Sequence, residues 1–307
     1  MSIPQHHRAF AVATAWTLLL LFLGSVVHAT GSSLACPDWP TCHGTMVPAM
    51  EGGVFWEHLH RLVAGGLILM WMLAGWLARQ EGASPGVRRG WAIGLGLLIV
   101  QAVFGGVTVL LELPAAVSTT HLALAFLFLG LAVALSVATS PRRADAAAFT
   151  PELRAALSVW GIRAASLVFM QSLLGGLVRH VEAGMACPDV PLCLGQLVPP
   201  LDQPLVAIHF AHRVVALATG LVVTLAALAI ARHAQGRIRR LALGALALVI
   251  AQIALGVLSV AGRLAVAPVS LHTLGAAALF ATWVALAAWG RVPVERAADR
   301  RSAVAVV

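Results

Sequence analysis

Eight apolar stretches, at about 10–30, 55–78, 91–111, 118–139, 157–178, 205–231, 241–261 and 269–289, constrain this chain more than any other feature. A helix needs roughly 20 apolar residues to cross the hydrocarbon core of a bilayer, where its own backbone must satisfy its own hydrogen bonds. The runs therefore predict an all-α integral membrane protein with eight transmembrane helices. Composition agrees: 60% of the 307 residues are hydrophobic, 10% are charged and the mean hydropathy is +0.91. That leaves too little polar surface for a water-soluble chain of this size. Lysine is absent, so the formal charge of +8 comes from arginine alone. The arginines stand in the gaps between runs, a pattern of membrane topology and not of a nucleic-acid surface, so no nucleic acid is expected as a partner.

The runs divide four and four, and the halves repeat. Cys36-Pro37-Asp38-Trp39-Pro40-Thr41-Cys42 returns 151 residues later as Cys187-Pro188-Asp189-Val190-Pro191-Leu192-Cys193. Gly24 and Gly175, Gln101 and Gln252, Gly105 and Gly256, and His121 and His272 keep the same interval. Around Glu57-His58-Leu59-His60-Arg61 the interval becomes 152, matching His209-Phe210-Ala211-His212-Arg213. Four helices per half give both halves one orientation, so the expectation is two tandem four-helix bundles related by parallel duplication, residues 1–145 and 146–307.

Arginine distribution sets the direction. Arg79, Arg88 and Arg89 follow the second run, Arg142, Arg143 and Arg154 the fourth, and Arg232, Arg237, Arg239 and Arg240 the sixth. Arg291, Arg296, Arg300 and Arg301 lie in the tail, whereas residues 31–54 carry no arginine and 179–204 only Arg179. Positive charge stays inside, so both termini are expected in the cytoplasm and both cysteine loops outside. The first run ends near Ala29-Thr30-Gly31, as a cleaved leader would. Its counterpart at 157–178 is internal, and the expectation is that both remain as helices.

Histidine is the informative residue type. His6, His7, His28, His43, His180 and His233 fall in tails, in loops or near a membrane surface, where solvated or interfacial roles are expected. His60, His121, His212 and His272 fall inside apolar runs, where an ionisable group needs a partner. All four lie near the outer ends of the even-numbered runs, one pair per half at one depth. Two imidazoles on facing helices suit axial ligation of a haem iron. Single interhelical hydrogen bonds would explain one such histidine but not four at repeated positions. Zinc would lack its third and fourth ligands.

Glu57 and His60 stand at i and i+3 on one helix face, and the second half has His209 in place of the carboxylate. A carboxyl in a low-dielectric site can move protons, so the break in symmetry marks the first half as the chemical site. Glu57 also stands four residues before Arg61, an arrangement that fits a plain ion pair. Arg61 and Arg213 follow two of the ligand candidates and fit either haem carboxylates or a snorkelling role. His58 falls about 100° from Glu57, away from the His60 face, where headgroups or solvent are its expected surroundings. Cys36 with Cys42 and Cys187 with Cys193 read either as disulfide clips over the bundles or as redox pairs, and four cysteines allow three connectivities.

The ordered set Cys-Pro-Asp-Trp-Pro, Glu57-x-x-His60-Arg61, His121, the second cysteine loop, His212-Arg213 and His272 resembles the haem A synthase family of the cysteine-containing bacterial type. The resemblance spans roughly residues 10–290. It implies an oxidoreductase that turns the C8 methyl of haem O into the formyl of haem A for terminal oxidases. It also implies that His60 and His121 bind the substrate haem beside catalytic Glu57, and that His212 and His272 bind a haem b. One departure is Leu20, which stands where the second half has Gln171. The implied surroundings are a bacterial plasma membrane, a farnesyltransferase that makes haem O, and oxidase assembly factors; a homo-oligomer is compatible with them. A di-haem cytochrome exchanging electrons with quinone would keep the four histidines without needing Glu57. A membrane thiol oxidoreductase would leave the histidines unexplained, and a haem transporter has no other feature in its favour.

Overall fold

A computed structural model describes residues 3–293; Arg296, Arg300 and Arg301 of the tail lie outside the described residues. Eight long helices are found among them: α1 (Gln5–Ala29), α2 (Gly52–Gln80), α3 (Pro85–Leu110), α4 (Ala115–Ala138), α5 (Pro151–His180), α6 (Pro204–His233), α7 (Gly236–Ala261) and α8 (Val266–Gly290). Each is long and apolar enough to cross a membrane. Helices α3 and α5 start ahead of their apolar runs because polar caps lie outside them. Thr150 accepts the Leu153 N–H at 3.2 Å and Pro151 occupies the first helical position, so α5 starts before its first long apolar run. Ser84 and Pro85 do the same for α3.

Helices α1 to α4 pack in a ring, as do α5 to α8; α1 and α4 meet α8, and α4 meets α5, between the rings. Fine backbone details recur 151 residues apart. Glu112 and Leu113, in the turn from α3 to α4, are left-handed, and so are Arg263 and Leu264 in the turn from α7 to α8. His43-Gly44 and Leu194-Gly195 share that conformation in the two cysteine loops.

Lipid is as apolar as leucine, so helices in a bilayer associate through close packing and hydrogen bonds. Between α2 and α3, Trp71 Nε1 donates to the Trp91 carbonyl at 2.9 Å and Trp91 Nε1 returns a bond to the Trp71 carbonyl at 2.8 Å. Gly94 and Gly75 leave room for the two indoles. Phe10 and Phe128 pack edge-on against Trp71 in the first core. Phe126 of α4 reaches the other way, to Phe169 and Phe280, and joins the halves. On the outer faces Leu69, Leu217, Leu221, Leu225, Ile250 and Ile253 are exposed, an apolar girdle suited to acyl chains.

The amino-terminal histidines are placed differently from expectation. His6 and His7 belong to the first turn of α1. The N–H groups of Gln5 and His6 donate to the Glu81 carboxylate at 2.8 and 2.9 Å, and the His6 ring meets the same carboxylate. His7 Nδ1 bonds the Ser136 carbonyl at 3.0 Å. The otherwise unsatisfied N–H groups of a helix start draw this turn onto the ends of α2 and α4.

Candidate functional site

His60 and His212 are the ninth residues of α2 and α6, and His121 and His272 the seventh of α4 and α8. The four rings therefore lie at one level, near the end of the molecule that carries the cysteine loops. Each ring rests against a glycine of the preceding helix. A Cβ at Gly24 or Gly105 would stand 3.2 Å from Cε1 of His60 or His121. At Gly175 it would stand 2.8 Å from His212, and at Gly256 3.4 Å from His272. The glycines let the backbones of α1, α3, α5 and α7 approach the rings and fix how each ring lies.

Amides border the rings. Gln101 Nε2 lies 3.2 Å from His121 Nε2. Gln171 Nε2 lies 2.9 Å from His212 Nδ1 and donates to the His212 carbonyl at 3.0 Å. Gln252 Nε2 donates to the His272 carbonyl at 3.1 Å. Yet Nδ1 of His60, His121 and His272, and Oε1 of Gln101 and Gln171, are buried without a protein partner. An unsatisfied buried polar atom costs about 1–3 kcal/mol, so this concentration of them marks a place shaped for a bound group. Paired imidazoles of this kind would suit holding a haem iron.

Above the rings, each cysteine loop closes on its own helix pair. The disulfides are Cys36–Cys42 and Cys187–Cys193, with Cα atoms 4.7 Å apart in each. Arg61 NH1 donates to the carbonyls of Asp38 and Thr41 at 2.8 and 2.7 Å. Its NH2 donates to the Cys36 carbonyl at 3.0 Å and to Glu57 Oε1 at 2.6 Å. Arg213 repeats the pattern on Asp189, Leu192 and Cys187 at 2.8, 2.8 and 2.6 Å. Both arginines thus grip their loops. The reason is physical: loop carbonyls without helix partners need donors, and a guanidinium presents several in a fork.

Glu57 is buried and ties the loop from the other side, its Oε2 accepting the Cys36 N–H at 2.8 Å. His209 takes that place in the second half, with Nδ1 2.8 Å from the Ala183 carbonyl and 3.4 Å from the Cys187 N–H. An Nδ1–H that donates to Ala183 leaves the Cys187 contact weak. His58 is corrected outright. It is 4% exposed, and a ring nitrogen lies within 4.8 Å of both Cys36 and Cys42 sulfurs. Helix geometry turned it away from His60 as expected; the folded loop then covered that face.

Reasoning from sequence also missed a junction between the halves. His28 of α1 and His180 of α5 stack with ring centroids 5.6 Å apart. Thr119 Oγ1 lies 3.0 Å from His180 Nδ1, two residues from His121. Arg179 donates to the Ser25 carbonyl at 3.3 Å, and Ser25 meets Thr273, next to His272, at 3.1 Å. Among the described residues no acidic side chain pairs with Arg179. His43 is exposed and bonds the Ala35 carbonyl, and His233 is exposed at the end of α6.

Fold and site define a polytopic membrane protein with two histidines inside the helices of each half and a disulfide loop joining the first two helices of each half. The chain belongs to the COX15-CtaA family of cytochrome oxidase assembly proteins, whose model matches residues 50–284. It is similar to a protein of Symbiobacterium thermophilum named Heme A synthase, 35% identical over 280 residues that cover 87% of this chain and 89% of that one. A Heme A synthase of Shewanella oneidensis is 26% identical over 90% of this chain and 93% of its own. One of Lysinibacillus sphaericus is 31% identical over 65% and 67%.

Proposed function

We propose that the protein is a haem A synthase: a membrane oxidoreductase that takes haem O as substrate and converts its C8 methyl to a formyl group. Likeness along nearly the whole chain to proteins of that name carries the reaction. The asymmetry between the halves carries the division of labour. Methyl to aldehyde is two successive hydroxylations and loss of water from a gem-diol, and it calls for proton transfer beside the macrocycle edge. The first pocket has His60 and His121 to hold the substrate haem and Glu57 one turn before His60, with a carboxylate able to hold or pass a proton. Arg61 keeps that carboxylate and the disulfide loop in one place. The second pocket has His212 and His272 but no carboxylate, and fits a resident haem b whose chemistry when bound is electron transfer. The unpartnered imidazole nitrogens and the glycine behind each ring support both assignments.

Arginine placement supports cytoplasmic termini and external cysteine loops in a bacterial plasma membrane. A farnesyltransferase then supplies the substrate, and oxidase assembly consumes the product. Pigment extraction from His60→Ala and His212→Ala variants tests the assignment. The first variant is expected to keep haem b and lose haem O and haem A; the second is expected to lose haem b. Equal loss of both pigments from either variant contradicts two separate pockets.

A further inference from the structure

The two disulfides sit in loops of matching backbone but do not have the same neighbours. Phe210, which is apolar, packs against the cluster formed by Cys187, Cys193 and Val206. At the matching place in the first half stands His58. Its ring and the sulfurs of Cys36 and Cys42 form a three-residue cluster within 4.8 Å, and all three residues are buried. His58 Nδ1 is buried with no hydrogen-bond partner. Nothing in the haem reading uses this nitrogen.

We infer that Cys36, Cys42 and His58 form a binding site for a thiophilic d10 cation when the disulfide is reduced. An external dithiol supplies two electrons and two protons and leaves as its own disulfide, or a phosphine supplies the two electrons while water supplies the two protons and the oxygen of the phosphine oxide; either way the S–S bond opens to two thiols. The cation then displaces the two thiol protons and is held by two thiolates and one imidazole. Two thiolates and an imidazole are a donor set that zinc and Cu(I) prefer, with a further position left open on zinc. With metal–sulfur bonds of about 2.3 Å the sulfurs need to part by only roughly 2 Å. The loop need not unfold to allow it. The Cys36 N–H stays on Glu57, and the carbonyls of Cys36, Asp38 and Thr41 stay on Arg61. The second loop has the same grip from Arg213, but its neighbouring imidazole, His209, is turned to the Ala183 carbonyl and the Cys187 N–H, and among the described residues no imidazole nitrogen groups with both of its sulfurs.

Zn2+ titration of the full-length protein in detergent tests this, after phosphine reduction and removal of the phosphine, against a chromophoric chelator. Each loop is read alone, in Cys187→Ser/Cys193→Ser and Cys36→Ser/Cys42→Ser backgrounds. The first loop is expected to bind one Zn2+ at least tenfold more tightly than the second. His58→Phe, which copies the residue the second half already accommodates, is expected to bring the first loop down to the level of the second. Phe210→His is expected to raise the second toward the first. Equal affinity of the two loops, an affinity unchanged by His58→Phe, or a Cys36–Cys42 bond that phosphine cannot open in the folded protein overturns the site. None of these outcomes depends on haem A formation, so the site can fail while the haem reading stands.

Discussion

Glu57 holds the Cys36 backbone N–H at 2.8 Å through one carboxylate oxygen and Arg61 at 2.6 Å through the other. The residue proposed to move protons is therefore also a strut of the disulfide loop, and the two duties need separate tests. Glu57→Gln keeps an acceptor for Cys36 and loses the charge. It is expected to leave the loop as resistant to proteolysis as the parent while haem A yield falls roughly 100-fold, the scale of a lost acid–base group. Glu57→Ala removes both the acceptor of the Cys36 N–H and the carboxylate on Arg61, and is expected to open the loop as well. A Glu57→Gln variant with full haem A yield would remove the proton role and leave only the strut.

The glycines behind the rings make a graded prediction. A methyl at Gly175 meets the His212 ring at 2.8 Å, closer than real side chains pack, whereas at Gly256 it meets His272 at an ordinary 3.4 Å. Gly175→Ala is expected to displace His212 and to reduce retained haem b several-fold. Gly256→Ala is expected to retain nearly all of it. Haem content per protein, measured by pyridine haemochrome, ranks the two. The reverse ranking contradicts the role given to these glycines.

Arg213 separates loop support from direct cofactor binding. Arg213→Ala removes three bonds from a guanidinium to loop carbonyls. Bonds to charged groups contribute about 1.5–3 kcal/mol each, offset in part by water entering the loop. Amide exchange across residues 187–194 is expected to accelerate at least tenfold while haem b stays bound. Loss of haem b with an undisturbed loop would return Arg213 to the haem carboxylates.

Asp38 gives a pH window. The Thr41 hydroxyl, then the N–H groups of Gly44 and His43, hold its carboxyl well below the usual range, at about 2. Because the folded value is depressed, the stabilisation is fully present above the unfolded value of about 3.9 and is lost as pH falls through about 2. Exchange at the His43 and Gly44 amides is expected to show no Asp38-dependent change from neutrality down to about pH 4, and local opening between about 4 and 2. Asp38→Ala is expected to show the opening at neutral pH, which comparison of the two exchange profiles checks.

Helix number and the depth of the four histidines were legible because length, hydropathy and a 151-residue repeat are local properties of the chain. Roles that depend on contact between distant segments were not. His58 is the clearest case: periodicity gave its direction on α2 but not that residues 36–42 would fold over it. The charge of Arg61 and Arg213 is visible in a sequence, whereas the loop carbonyls they grip are not. The stacking of His28 on His180 depends on how α1 meets α5, which no run of residues specifies. Gly24, Gly105, Gly175 and Gly256 did carry a signal, since they recur at the same interval as the cysteines, but their purpose appears only against the rings they face.

The central claim is conversion of haem O, and it is tested most directly in a host that makes haem O but not haem A. The chain is expressed there and total haem is extracted and separated by chromatography. Cells carrying the parent chain are expected to contain haem A, and cells carrying His60→Ala to lack it. Haem O and haem b alone in cells that contain the folded parent protein would contradict it.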